Sequence, residues 1–502
     1  MRSFPEQLVA DFLRAHRASG VYLRDSVARV AELASSKDQR IAEPATRAFF
    51  TSLVEPLADS FEPEAVTIYN RAFAQLIQIS RRAPRAQAFN RELTQFGLVN
   101  EQDLIDRAGN LRHVPAMETP PDWTGKLRRI VVLSRVTLGA DVAVTSVIVE
   151  RLKNSCPASE IVLVGGSKLP QLFGGDRRLS FREIDYHRAG TAIERLLAWI
   201  DLLAGVRELT DDLERGEYLI VDPDTRLTQL GLLPVDVGDL RTPRHGAEPG
   251  TQLRSTGNGP GYLFFPSREY GNNTSFSLAE LTSSWLDEVF GERVQTCPRV
   301  SPSLEDRESA RELLAGLKGD SSRRIVAFNF GVGENELKRI GGDFEASLVL
   351  RLIQRGANII LDKGAGEDEV RRADAVIAEA TQIERNGRRV RAVELDAKSL
   401  RGAATPDADA EILVWNGGIG MMAALIGESD LYIGYDSAGQ HIAAAQDVPC
   451  IDVFAGFSSP RMLDRWRPTG KAETRVIAVN PANRGELPGG VLELALQMLM
   501  MS

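Results

Sequence analysis

Cysteine is scarce. There are three, Cys156, Cys297 and Cys450, widely spaced and with no CxxC pair among 502 residues. No structural zinc site or redox dithiol is therefore implied, and a reducing cytoplasm is the compartment that fits. No apolar run approaches the ~20 residues that span a bilayer. The opening residues, MRSFPEQLVADFLRAHRAS, contain no apolar h-region of a secretory signal. A visit to the cytoplasmic face of a membrane stays open. Basic residues do not dominate either: the net charge is -9 and the pI near 5.4. That argues against nucleic acid as a partner, although Arg81–Arg85 and Arg385–Arg391 are locally basic. What is present is ordinary for a soluble globular chain, 43% hydrophobic and 26% charged, with length for about three domains.

Residues 1–118 read as an all-helical N-terminal module. Phe4, Leu8 and Phe12, then Val21, Leu23, Val27, Val30 and Leu33, recur near helical spacing. Glu43–Phe61 and Pro63–Arg81 continue the pattern, and Glu101–Ala108 adds a shorter helix. A structural appendage or an oligomerisation surface is the simplest role for it. The proline-bearing stretch Val114–Trp123 marks a boundary. Beyond it the character changes. Arg128–Arg135, Glu160–Gly166 and Glu217–Asp224 are short apolar runs separated by helical patterns at Asp141–Ser155 and Thr191–Ala204. Strands alternating with helices predict a parallel sheet covered on both faces. The segment Asp239–Gly261, rich in Gly, Pro and Arg, reads as a loop. A second α/β unit opens at Arg323 and runs through Ala357–Gly364, Leu431–Ser437 and Cys450–Gly456 to a closing helix at Val491–Met500. The expected architecture is α/β: two Rossmann-like doubly wound domains, 126–300 and 320–502, facing a cleft, behind the helical extension.

Polar residues collect where strands end and helices begin, which is where such folds bind ligands. After the first strand comes SRVTLGAD, in which Asp141 is either a helix N-cap or a general base on the cleft wall. In the second unit NFGVGENELKR offers Gly331 and Gly333 in a turn, with Lys338 and Arg339 in reach of a phosphate. The loop DSAGQH places Ser437, Ala438 and Gly439 at a helix start, where backbone N–H groups and the helix dipole favour a diphosphate. Asp436 suits sugar hydroxyls, and His441 reads as a buried hydrogen-bonded histidine.

In order, these segments resemble those of the bacterial heptosyltransferases, the ADP-heptose:lipopolysaccharide type of glycosyltransferase family 9, over about Arg128 to Pro468. The family's S-x-x-G-D segment is similar to SRVTLGAD, here with three extra residues between Ser134 and Asp141, Ala140 among them. Its Lys-Arg-Trp-Pro run followed by Phe resembles Lys338-Arg339-Ile340-Gly341 followed by Phe344, without the Trp-Pro half. Its Gly-rich, Glu-bearing turn resembles ILDKGAGEDE. Its D-S/T-G-x-x-H signature, small-residue helix and strand resemble DSAGQHIAAAQDVPCIDVFAG, with Ala438 in the glycine position and Gly439 following. The resemblance implies a GT-B fold and transfer of a sugar, heptose or another, from a nucleotide diphosphate sugar, ADP-linked in the family. Transfer would proceed with inversion and without an obligatory metal or other cofactor, to a glycan, lipid-linked or other hydroxyl acceptor. Carried over, Asp141 is the base and Lys338 with Ser437–Gly439 holds the diphosphate. Gly333, Arg339, Glu367, Asp436 and His441 complete the donor set.

Two other classes compete. GGIGMMA (Gly417–Ala423) holds G-x-G-x-x-A, with Asp436 18 residues after Gly418, as a dinucleotide-binding oxidoreductase requires. It stands third in its domain, where such fingerprints normally stand first. A non-catalytic binding or scaffold protein on the same fold is the other. A sugar-nucleotide epimerase shares the architecture, but no additional carboxylate pair supports it.

Overall fold

The computed structural model describes residues 3–112, 123–187, 190–236, 261–318, 323–332, 336–364, 366–385, 387–401, 410–480, 485 and 487–501. Gly333, most of the 114–123 stretch and nearly all of the 239–261 segment lie outside the described residues.

The chain opens with helices α1 (Phe4–Ser19), α2 (Arg24–Ala34), α3 (Gln39–Arg47), α4 (Glu55–Asp59), α5 (Pro63–Ser80), α6 (Gln87–Gln95) and α7 (Glu101–Arg112). Asp38 starts α3 by accepting the Arg40 N–H at 3.0 Å. Between α3 and α4 the helix widens into a π-helical stretch, Ala48–Val54. Pro56 accounts for it: its ring would strike the carbonyl four residues back, and it has no N–H to donate.

Two all-parallel sheets follow. β1 (Arg129–Leu133), β2 (Glu160–Gly165), β3 (Leu179–Glu183), β4 (Tyr218–Asp222) and β5 (Tyr262–Phe264) form the first, in the order β3-β2-β1-β4-β5. The second contains β6 (Ile325–Asn329), β7 (Asn358–Asp362), β10 (Ala392–Leu395), β11 (Ile412–Trp415), β12 (Leu431–Tyr435), β13 (Cys450–Phe454) and β14 (Thr474–Ala478). Its order is β10-β11-β7-β6-β12-β13-β14, and β8 (Glu384–Arg385) with β9 (Arg388–Arg389) makes a separate hairpin. The doubly wound expectation holds for both. Among the elements that escaped the sequence reading are α6, the helices Leu169–Phe173, Leu304–Lys318, Ala397–Arg401 and Pro460–Trp466, the β8–β9 hairpin and β3. β3 is a half-exposed edge strand, LSFRE. Leu304–Lys318 is densely charged and buries only Ala310, Leu313, Leu314 and Leu317, so its apolar stripe is narrow.

Alternation along β1 divides the core. Ile130 and Val132 face a cluster that runs on into the second domain. Val131 and Leu133 face a cluster shared with the helical module. The module is thus more than an appendage, because one face of the first sheet, with the helix Ala192–Thr210, is packed against it. Trp199 anchors the seam. It is 1% exposed, stands edge-on to Phe89 at 5.3 Å and donates its indole N–H to Pro234 O at 2.6 Å. Trp199→Ala is expected to cost about 3–5 kcal/mol, read from urea unfolding followed by fluorescence. A loss below about 1 kcal/mol would mean the module is held elsewhere.

Candidate active site

In each sheet two neighbouring strands send their connections to opposite sides, β1 beside β4 and β6 beside β12. Loops leaving the carboxyl ends at such switch points form the ligand crevice of an α/β sheet. In the first domain the two loops are tied together. Thr225 Oγ1 donates to Ser134 O, and Arg135 Nη1 donates to Pro223 O at 2.9 Å and to Ser267 Oγ at 2.7 Å.

Asp141 stands inside this knot, 1% exposed. It accepts from Ser134 Oγ at 2.8 Å, from the Arg135 N–H at 2.7 Å and from Thr145 Oγ1 at 2.8 Å. Burial pushes its carboxyl up to about 6, and the three donors offset only part of that. Asp222 at the end of β4, also enclosed, is likewise raised to about 6 by burial.

In the second domain Lys338 reaches across the switch point. Its Nζ meets Asp436 Oδ2 at 2.5 Å and Asp436 O at 3.3 Å. Gln440 Nε2 donates to Asp436 Oδ1 at 3.2 Å while Gln440 Oε1 accepts the Ser437 N–H at 2.8 Å. Burial alone would lower the Lys338 ammonium, but Asp436 outweighs it and Asp59 and Asp452 add to it, so the group lies above its ordinary range. His441 is driven down to about 4, first by burial and then by Lys338. It is therefore neutral at pH 7, and the lysine supplies the positive charge.

The two crevices face each other at contact distance. A Cβ on Gly139 would lie 3.3 Å from His441 Cδ2, 3.5 Å from Ala438 Cα and 3.6 Å from Ser437 O. Gly139 thus lets the first-domain loop sit directly on the DSAGQH loop. Trp466 closes the floor, edge-on to His441 at 6.1 Å.

Residues 416–485 match the sequence profile of glycosyltransferase family 9 (heptosyltransferase). Over that stretch the chain is similar to the heptosyltransferase-type glycosyltransferases. A family 9 glycosyl transferase from Veillonella parvula superposes with a TM-score of 0.51 at 16% identity, over 75% of this chain and 98% of that one. At that identity the likeness is one of fold, and the fold is GT-B. The E. coli ADP-heptose LPS heptosyltransferase II aligns over 74% of this chain and 99% of its own, at 14% identity and a TM-score of 0.46. The E. coli heptosyltransferase WaaC with ADP covers the same shares at 13% and 0.47. Among curated proteins none matches the sequence.

Within this heptosyltransferase-like frame, Lys338, Asp436, Ser437, Ala438, Gly439 and His441 come together, and Asp141 lies behind Gly139. Arg339 is 5% exposed and pairs with Glu336 at 3.6 Å. Glu367 is exposed at the start of its helix. Glu369, two residues on, is the carboxylate that lies against Gly331 and Gly364 in the loops after β6 and β7. The Gly417–Ala423 turn is filled by protein. Cβ atoms on Gly418 and Gly420 would strike Gln171 of the first domain, at 2.8 Å from Oε1 and 2.9 Å from O. It is a packing joint rather than a cradle for a dinucleotide. Among the described residues no three His, Cys, Asp or Glu side chains form a metal-holding group.

Two members of this cluster escaped the sequence reading. Tyr432, on β12, sends its hydroxyl into the space a Cβ on Gly439 would need, which explains why the glycine follows Ala438 here. Asp452, on β13, is fully buried, and neither of its oxygens takes a hydrogen bond among the described residues. Its signal was a single carboxylate in the run CIDVF. Burial, then Asp436, holds it well above the usual carboxylate range. The unfolded chain ionises at about 4, so the folded form loses stability as pH rises above that value. Asp452→Asn is expected to raise the melting temperature at pH 8 and to leave it nearly unchanged at pH 4. Equal shifts at both pH values would refute a proton held on Asp452.

Proposed function

We propose that the protein is an inverting glycosyltransferase that moves a sugar from a nucleoside diphosphate sugar to a hydroxyl on a glycan, lipid-linked or other acceptor. One observation carries this reading. Lys338 and the Ser437–Gly439 helix start, the latter inside the family-matched region, meet at one switch point, with Gly139 of the other domain directly across from them and Asp141 behind it. The WaaC structure contains ADP, so ADP is the first donor nucleotide to try.

The chemistry follows from the charges. The acceptor oxygen attacks the anomeric carbon while the carbon–oxygen bond to the diphosphate breaks. Positive charge grows on the sugar and negative charge on the leaving group. In this reading Lys338 and the N–H groups at the Ser437–Gly439 helix start take the leaving diphosphate, displacing Asp436 from the ammonium. Glu369, at the carboxyl edge of the sheet, suits the ribose hydroxyls better than Glu367 does. Asp141 takes the acceptor proton, which requires the Ser134–Thr137 loop to move off it. Gly333 and Arg339 keep the places in the donor set that the sequence pattern gives them.

Three outcomes are expected. Lys338→Ala weakens ADP binding at least about tenfold by calorimetry, as loss of a charge-assisted contact does; unchanged affinity removes Lys338 from the site. Asp141→Asn abolishes transfer, assayed over a panel of nucleotide sugars, and spares ADP binding; full activity would sink the base assignment. The wild-type kcat/KM rises with pH up to about 6 and is flat above it, because only the ionised carboxylate accepts a proton. A flat profile from pH 5 to 8 would exclude a base of that pKa.

A further inference from the structure

Between α4 and α5 the chain turns through Ser60, Phe61 and Glu62, and this turn spans the two α/β domains. On the first-domain side, Arg268 Nε donates to Ala58 O at 3.2 Å and Arg226 pairs with Glu55 at 3.4 Å. On the donor side, Arg461 Nη1 donates to Phe61 O at 3.0 Å and faces Glu62 Oε2 at 3.6 Å. Ser459 Oγ donates to Ser60 O at 3.4 Å. The Phe61 ring is 1% exposed and stands edge-on to Trp466 at 5.9 Å, the same indole that floors His441. Phe61 holds a φ of +55°, a left-handed conformation that costs a residue with a Cβ free energy and persists only where its surroundings enforce it. At the head of the turn Asp59 is half-buried. Its charge acts on both Arg226 and Lys338.

We infer that the α4–α5 turn is a latch on the donor site, gripping Trp466 and Arg461 and setting the Asp59 carboxylate where an incoming nucleoside diphosphate must meet Lys338. This rests on the reading of the cleft as a nucleotide-sugar site. Three anions then share one ammonium: Asp436, which already pairs with it, Asp59 from the helical module, and the diphosphate from solution. Entry of the diphosphate therefore repels the turn. The strained Phe61 backbone lowers the cost of release, because leaving the grip relieves it. The helical module then reports donor occupancy from the first domain to the second.

Calorimetric titration of the full chain with ADP tests the latch, comparing wild type with Asp59→Asn, Phe61→Leu and, as a control on exposed α5, Glu64→Gln. At about 20 mM salt, where charges act over tens of ångströms, Asp59→Asn is expected to bind ADP about three- to tenfold tighter, as removal of one unscreened neighbouring charge allows. That gain should shrink at about 0.5 M salt. Phe61→Leu should also tighten binding, and Glu64→Gln should not. Amide exchange at residues 58–62 of the wild type should quicken when ADP is added. Equal ADP affinities for wild type, Asp59→Asn and Phe61→Leu would overturn the latch and leave the reading of the cleft standing, as would unchanged exchange on ADP addition. If no variant binds ADP or any other nucleoside diphosphate, the reading falls and the latch with it.

Discussion

An ammonium taken out of water has to be met by negative charge, and Lys338 is where this molecule meets that demand. Its side chain is 19% exposed and that of its partner Asp436 is 6% exposed, so desolvation weighs on both. Removing one member of such a pair costs about 3–5 kcal/mol, because the other is left uncompensated. The surroundings follow from that pair. Gln440 holds the second Asp436 oxygen and the Ser437 N–H, which sets the start of the helix Ala438–Ala444. Asp452, below, cannot ionise freely beside Asp436. His441 cannot carry a proton beside Lys338. Burial comes first for both neighbours, and the Lys338–Asp436 pair adds to it, Asp436 on Asp452 and Lys338 on His441. Lys338 is also the charge a diphosphate would seek, so the group that stabilises the closed loop is the group a ligand would recruit.

The same pair explains how the domains sit. The DSAGQH loop is rigid because Lys338 and Gln440 hold it, and it presents Ala438 and His441 to the other domain at van der Waals distance. Gly139 stands opposite, where a Cβ would come within 3.3 Å of His441 Cδ2 and the ring would have to give way. Arg465 then reaches out of the donor domain to Thr274 O, Phe276 O and Gly271 O. The interface is polar at this edge and apolar beneath, where one buried cluster runs through both domains. Interfaces of this mixed kind permit relative motion.

Much of the fold was legible in the sequence because the sheets are parallel. Their strands are buried on both faces, so β1, β2, β6, β7 and β12 read as short uninterrupted apolar runs. β3 was not legible, since its edge position leaves LSFRE half exposed. The donor loop was legible because Asp436, Ser437 and His441 keep a fixed spacing on one turn of chain. Asp141 was legible as a residue but not as an environment: its enclosure by Ser134, Arg135 and Thr145 depends on how the extra residues of SRVTLGAD fold back. Glu369 was displaced from the expected Glu367 because helical phase decides which of two nearby carboxylates points at the sheet edge. The role of Phe61 and Asp59 was out of reach, because nothing local in a helical module says what lies across from its turns.

The glycine shift in the signature shows how a divergent chain keeps a site without keeping its letters. Position 438 carries an alanine packed against the shared apolar cluster. Position 439 must clear the Tyr432 hydroxyl, which occupies the space of its missing Cβ. A tyrosine on β12 and a glycine two residues into the loop are therefore one feature. Tyr432 also stands within electrostatic reach of Asp452, whose carboxyl is held well above the usual range by burial, then by Asp436. The requirement is for close approach of loop to strand, and which residue supplies the gap depends on which side chain comes up from below. Read that way, Ala438 is the consequence of Tyr432 and not a lost element of the phosphate loop. The helix start at Ser437 is held by Gln440 regardless of which of the two positions carries the glycine.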